Sequence, residues 1–410
     1  MPRNWTLRAY YFASFAVGGI YLPYFPRWLQ ARGMDGAHLG VISAVAPAVG
    51  LIAPTAFGVV ADALGLRGGL LQLACLGALA SFGTLTVAVA IGMPLGFSGL
   101  FAAALAIALF RSPMSMMADV VAVEFAAASA TTYGRLRLWG SLGFLAAAVA
   151  GGWLVDPRQR LALPLTSTCC LAAGFLASLA LPRKADLHVY RRSTPPAGRV
   201  LRAAPSARIG ELLLFGDFRL FLVCVFLSQC GHAAYDMCFS LRLYDLGVPG
   251  GVVGVAWGIG VGAEVVLMAS SAWVFRRFRA SSVLAVALAC AAIRWALLAT
   301  VRSTALILIL QPLHALSFGL VWIAAVTYGS RRVPARSLAT GQGLLTTASG
   351  AGSAVGMLTW GPVYQHAGAA FVFAGAACFA VCASAFAVAL DRKAGAPISR
   401  GAAAEQMREG

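Results

Sequence analysis

Twelve apolar runs, each close to or above the roughly 20 residues that a helix needs to cross the hydrocarbon of a bilayer, follow one another along this 410-residue chain. They fall near 7–29, 38–61, 69–92, 96–125, 137–155, 161–181, 218–243, 248–274, 281–300, 303–328, 338–363 and 368–390. Hydrocarbon offers no water to peptide N–H and C=O groups, so a spanning segment must satisfy them internally, as a helix does. The expected fold class is therefore an all-α membrane protein with twelve transmembrane helices. Composition agrees: 60% of residues are hydrophobic and 11% are charged, against roughly 25% charged in soluble domains. The lipid bilayer is the expected solvent for most of the surface.

The formal charge of +17 does not indicate nucleic acid as a partner. No groove-reading motif is present, and the arginines sit in short breaks between apolar runs. With the N-terminus placed in the cytoplasm, inside segments hold 22 Lys and Arg and outside segments hold 6. That bias predicts a multi-pass protein with both termini cytoplasmic. The first run is longer than a signal-peptide core and lacks a small-residue cleavage site, so it reads as a retained span. Nine cysteines lie within apolar runs with no CxxC pair; they read as packing residues, and no metal or cofactor is expected.

The longest hydrophilic interval divides the chain in two. The expected domains are an N-terminal six-helix bundle (1–182), a basic cytoplasmic linker (183–216), a C-terminal six-helix bundle (217–391) and a cytoplasmic tail (392–410). The fifth and eleventh runs are both glycine-rich (Gly140, Gly143, Gly151, Gly152; Gly350, Gly352, Gly356, Gly361), which permits close helix packing in lipid. Two six-helix halves with a long inside linker fit the parallel repeat of the major facilitator superfamily, whose halves rock about a midplane site.

Six ionisable side chains interrupt the apolar runs: Arg111, Asp119, Asp236, Glu264, Arg294 and His314. A charge at the bilayer centre costs about 2.5–3.5 kcal/mol on insertion scales. Such groups must pair or line a hydrated cavity, and a shared chamber between the two bundles is expected. His232 and Asp236 lie one turn apart and share a helix face. Arg111 precedes Asp119 by eight residues, on roughly the same face; it either pairs with Asp119 or adds a cation for an anionic substrate. The aromatics of the first run read mostly as interfacial or lipid-facing, with Tyr10, Tyr11 and Tyr24 as the ones able to face the cavity.

Gly58-Val-Val-Ala61-Asp62-Ala-Leu-Gly65-Leu-Arg67 resembles the superfamily signature G-x-x-x-D-x-x-G-x-R/K, and Gly58, Asp62, Gly65 and Arg67 read as gating residues. Tyr133-Gly-Arg135-Leu-Arg137-Leu-Trp139-Gly-Ser141 resembles the lactose-permease and nucleoside-permease branch. More narrowly, the chain is similar to the phenylpropionate permeases through Leu22-Pro-Tyr24, Trp28-Leu29, His232-Ala-Ala-Tyr235, Ala263-Glu264-Val265, Phe275-Arg276-Arg277, Arg294-Trp295 and Gln311-Pro-Leu-His314.

That resemblance implies substrate contacts at Asp119, Arg137, Ser141, Glu264 and Arg111, and proton coupling among His314, Arg294, Glu264, Asp236 and His232. Burial favours the neutral form of a carboxyl, and imidazole titrates near neutrality, so Glu264, Asp236, Asp119 and His314 all remain open as the proton carrier. Arg111, Gln311 and Ser317 depart from the pattern of the relatives, so the proton site does not transfer directly. The implied activity is proton-coupled symport of a small aromatic carboxylate; a sugar or nucleoside is the alternative. A monomer is expected, with a small-molecule substrate and protons as partners. No phosphate-binding G-x-x-x-x-G-K-[ST] loop, HExxH or GxSxG occurs, so neither an ATP-driven pump nor an enzyme is expected.

Overall fold

The computed structural model describes residues 4–64, 66–127, 129, 131–156, 158–181, 205–334 and 337–395. Every regular element among them is helical. In chain order these are α1 (Asn4–Gln30), α2 (Gly36–Gly50), α3 (Ala53–Leu64), α4 (Arg67–Ala90), α5 (Phe97–Ala127), α6 (Tyr133–Leu154) and α7 (Ala162–Leu179). There follow α8 (Pro205–Leu214), α9 (Gly216–Asp245), α10 (Gly250–Arg277), α11 (Ala280–Thr300), α12 (Thr304–Leu310), α13 (Val321–Arg332) and α14 (Leu338–Gly395).

Local chemistry sets several starts. The Asp35 carboxylate accepts from His38 N at 2.8 Å and caps α2, and Thr132 does the same for α6 through Arg135 N; both satisfy amides that no helical carbonyl can reach. The 58-residue α14 is broken at Gly368, where φ is 80°, a conformation glycine adopts without a Cβ penalty. It thus contributes the two expected segments on either side of that break.

Among the described residues, nine helical stretches are long and apolar enough to cross a membrane, counting α2–α3 as one, α12–α13 as one and the whole of α14 as one. The twelve-run expectation also includes α1 and α6. At 27 and 22 residues they are about 40 and 33 Å long, but α6 opens on Arg135 and Arg137, and α1 carries Arg8 and four tyrosines. The span from Thr304 to Arg332 is irregular: a 3₁₀ turn, Gln311–Leu313, and a π turn, Ala315–Leu320, flank His314. The sequence reading gave no sign of either.

In the first half α1 packs on α6 and α7, α4 on α5 and α7, and α2 on α5. In the second, α14 packs on α9 and α11, while α10 packs on the 3₁₀ and π turns. The halves are joined chiefly through α2 with α14, α6 with α10 and α1 with α9. At one end of the molecule these pairs meet backbone to backbone. A Cβ on Gly36 or Gly361 would overlap the other's carbonyl, and the same holds for Gly152 and Gly250. Gln365 Oε1 accepts from Gly36 N at 2.6 Å, and the Tyr364 hydroxyl donates to Asp245 at that same end.

At the other end the halves are separated by a cavity of about 1190 Å³. Its walls include Leu51 and Thr55, Asp119 and Val123 of α5, Trp322 of α13, Gly343 of α14 and Ile209 of α8. The interval read as linker is thus partly helical: 205–214 form α8, and Leu212 is buried against the second half. Residues 183–204 of that expected linker, and 396–410 of the tail, lie outside the described residues.

Candidate functional site

α11 supplies Arg294, which is 0% exposed. Its guanidinium donates to Ser317 Oγ at 2.9 Å and to Gln311 Oε1 at 3.1 Å, and its Nη1 lies 3.3 Å from His314 Nδ1. Its plane covers the rings of Tyr235 and Trp295, with Cζ 4.4 and 4.7 Å from the centroids. Tyr235 in turn donates to Gln311 at 3.0 Å. All of these partners are neutral or polarisable; among the described residues no carboxylate is ion-paired to Arg294. The 3₁₀ and π turns let Gln311, His314 and Ser317 converge on one guanidinium, a use of irregular helix that recurs at functional sites.

The second nitrogen of His314 faces Glu264: Nε2 lies 3.6 Å from Oε2. Close packing makes this possible. A Cβ on Gly260 would come within 3.2 Å of His314 Cβ, and one on Gly319 within 2.9 Å of Glu264 Cγ. His232 Nε2 lies 3.5 Å from Asp236 Oδ1, the pair expected from their spacing. The His232 ring is 5.6 Å from that of His314, and both stack on Phe318. His314, Arg294, Glu264, His232 and Asp236 therefore form one neighbourhood.

In the first half, Asp119 and Arg137 face the interior but do not form an ion pair. Instead Tyr11 donates to Asp119 Oδ1 at 2.7 Å, and the Arg137 guanidinium lies 4.0 Å from the Phe15 centroid and 6.0 Å from that of Tyr11. Ser141 is half-buried one turn beyond Arg137. The Arg137 charge acts on Glu264 across the interface.

Asp119 lines the 1190 Å³ cavity, whereas Arg111 and Asp236 line a second one, of about 290 Å³, between the halves. Arg111 and Asp119 both reach α1, Asp119 at Tyr11 and Arg111 at Gly18, but at eight residues, about 12 Å, apart along α5 they line different cavities and do not pair. None of the six groups is among the exposed residues.

On the first helix Phe12 is exposed, as a lipid-facing aromatic would be, whereas the aromatics able to face the interior are enclosed. Tyr10, Tyr11 and Tyr24 are buried, because α1 runs through the centre of the bundle. Tyr24 donates to Ala148 O at 2.6 Å. Tyr11, expected as an aromatic able to face the cavity, bonds Asp119, and Gln311, expected only as a departure from the relatives' pattern, bonds Arg294; the sequence offered no partner for either. Of the gating residues, Gly58 packs against Met116, whose Cε would lie 3.4 Å from a Cβ there. Gly65 and the side chains of Asp62 and Arg67 lie outside the described residues.

Comparison with known proteins adds to this geometry. Residues 4–375 match the family described as "MFS_1 like family". The chain is 29% identical over 366 residues to the "Probable 3-phenylpropionic acid transporter" of Escherichia coli strain K12, covering 87% of this chain and 90% of that one. It is 28% identical over 343 residues to the "Maltose permease" of Geobacillus stearothermophilus, covering 82% of each. Among solved structures, the nucleoside transporter NupG superposes with a TM-score of 0.80 at 17% identity, covering 95% of this chain and 99% of that one. A bacterial homolog of the human lysosomal transporter Spinster, solved in an inward-facing and unoccupied conformation, gives a TM-score of 0.71 at 14% identity over 95% and 96% of the two chains.

Proposed function

The chain belongs to the MFS_1-like family of membrane transporters, and we propose that within it this protein carries a small aromatic carboxylate, phenylpropionate-like, together with a proton. The observation that carries this reading is the state of the three interior arginines. Arg294 bonds only neutral groups, Arg137 lies over Phe15, and Arg111 has no hydrogen-bonding or ion-pair partner among the described residues. A guanidinium withdrawn from water and lacking an anion is poorly satisfied. It is suited to receive a carboxylate by two parallel hydrogen bonds.

Charge balance supports the coupled proton. The interior holds three arginines (Arg111, Arg137, Arg294) and three carboxyls (Asp119, Asp236, Glu264). Entry of an anion alone would leave a net negative charge in a low-dielectric interior; entry with a proton would not. Glu264 beside His314 and Asp236 beside His232 offer two places to receive it. The halves meet at one end and part at the other, which suits alternating access by rocking about this interior.

In this reading the protein sits in the bacterial inner membrane with both termini cytoplasmic, in line with the arginine bias, and the 1190 Å³ cavity opens to the cytoplasm. Expected partners are the substrate, protons and lipid. One chain supplies both halves, so a monomer suffices.

The test is uptake of radiolabelled 3-phenylpropionate, maltose and a nucleoside into proteoliposomes at two pH values. Accumulation of the acid alone, larger with an inward proton gradient, is the expected result. Accumulation of the sugar or nucleoside in its place would contradict the reading.

A further inference from the structure

We propose that the 290 Å³ cavity between the halves is the seat of the transported carboxylate, with Arg111 as its counter-ion and Asp236 as the group that takes up the accompanying proton. This rests on the reading of the chain as an aromatic-carboxylate carrier and adds to it a place and a charge mechanism.

The cavity is built from both halves. Arg111 enters it from α5 and Asp236 from α9, while Phe15, Tyr21, Phe25 and Phe144 form aromatic walls. Its volume is near the lower end of the roughly 300–1,000 Å³ usual for small-molecule sites, and an apolar lining with a few convergent polar groups is their common make-up. Tyr21 and Phe25 stack with centroids 4.2 Å apart, leaving a flat surface for a second ring. Arg111 lies against α1 at Gly18: a Cβ there would stand 3.1 Å from Arg111 Nη2. Any larger residue at 18 would press on the guanidinium. The five N–H donors of that group meet no acceptor among the described residues, although the cavity wall places them where a carboxylate could accept two.

Asp236 completes the balance. Arg111 and Asp236 line one cavity without an ion pair between them. The other groups facing Asp236 are His232 at 3.5 Å, Tyr235 on the same helix, Tyr21 of α1 and Arg294 of α11, with His314 behind His232. Arg294 is the positive charge acting on Asp236, and Arg111 shares its cavity. A bound carboxylate cancels the field of Arg111 and adds its own negative charge. Asp236 then accepts one proton from the aqueous side, forming an O–H bond on its carboxyl. The guanidinium keeps its charge, and no other bond changes. One anion and one proton enter together, and the cavity remains neutral.

Calorimetric titration of the purified full-length protein tests this, using 3-phenylpropionate and its neutral amide in buffers of different ionisation enthalpy. For the unaltered protein, the acid is expected to bind with uptake of about one proton, and the amide to bind with none. Arg111→Gln should weaken the acid about tenfold or more and leave the amide within about twofold. Asp236→Asn should bind the acid without proton uptake. If Arg111→Gln fails to give folded protein, Arg111→Lys serves instead: it keeps the charge but loses the two-point fork, so the acid should weaken severalfold and the amide not at all. Undiminished binding of the acid in the arginine variant, or full proton uptake in Asp236→Asn, overturns the assignment while leaving the transport reading intact. Failure of the unaltered protein to bind the acid overturns that reading, and this assignment with it.

Discussion

Nη1 of Arg294 stands 3.3 Å from Nδ1 of His314. A guanidinium only donates, so Nδ1 must present its lone pair, and the imidazole proton is on Nε2, facing Glu264 Oε2 at 3.6 Å. One arginine thereby fixes the tautomer of the histidine and, through it, the hydrogen offered to the acid. A lysine at 294 could not reach His314, Ser317 and Gln311 together. Hydrogen bonds to charged groups contribute about 1.5–3 kcal/mol each, so Arg294→Lys should destabilise the protein by about 2–4 kcal/mol. Thermal unfolding in detergent reads this; an unchanged melting temperature would mean that the network carries little of the stability.

The Tyr11 hydroxyl lies 2.7 Å from Asp119 Oδ1, and no ion pair joins Asp119 to Arg137. Removing that hydroxyl while keeping the ring isolates one bond. Tyr11→Phe should cost about 1–2 kcal/mol of stability and reduce uptake less than Asp119→Asn, which is expected to abolish uptake while leaving the protein inserted. Equal uptake by Asp119→Asn and the unaltered protein would make Asp119 structural.

The glycine contacts at one end hold the halves together only because neither side carries a Cβ. Gly361→Val and Gly152→Val should therefore disfavour this conformation and populate one in which the opposite end closes. A cysteine placed at Met116, on the wall of the 1190 Å³ cavity, would then react more slowly with a soluble maleimide. Labelling as fast as in the unaltered background would contradict a rocking motion about these contacts.

Proton uptake on binding has a defined sign in pH. If the bound state holds one more proton than the free state, apparent affinity for the acid falls as pH rises, approaching about tenfold in Kd per unit once the accepting carboxyl is ionised in the free protein. Below that range the group is already protonated and affinity levels off. Titrations between about pH 5 and pH 9 measure the slope; a flat profile in the unaltered protein would exclude a coupled proton.

The helical plan was legible because hydrocarbon admits few alternatives: an apolar run of sufficient length folds the same way whatever its neighbours. Family motifs likewise placed His314, Glu264 and Arg294 together. What could not be read was geometry within the interior. The site around His314 depends on packing against another segment: Gly260 of α10 lies against His314, and Gly319 of the π turn lies against Glu264. Arg111 and Asp119 both reach α1 yet line different cavities, which depends on how the neighbouring helices enclose each of them. The burial of Tyr10, Tyr11 and Tyr24 follows from the central position of α1, and that position is a property of the assembled bundle rather than of the segment.

The most direct test of coupled carriage is the pH inside proteoliposomes loaded with a trapped fluorescent indicator, after 3-phenylpropionate is added outside with no imposed gradient. Cotransport of one anion and one proton predicts acidification of the lumen faster than in protein-free liposomes, without an electrical current and lost in Asp236→Asn. Acidification no faster than in protein-free liposomes, or uptake of labelled acid accompanied by inward negative current, would contradict it.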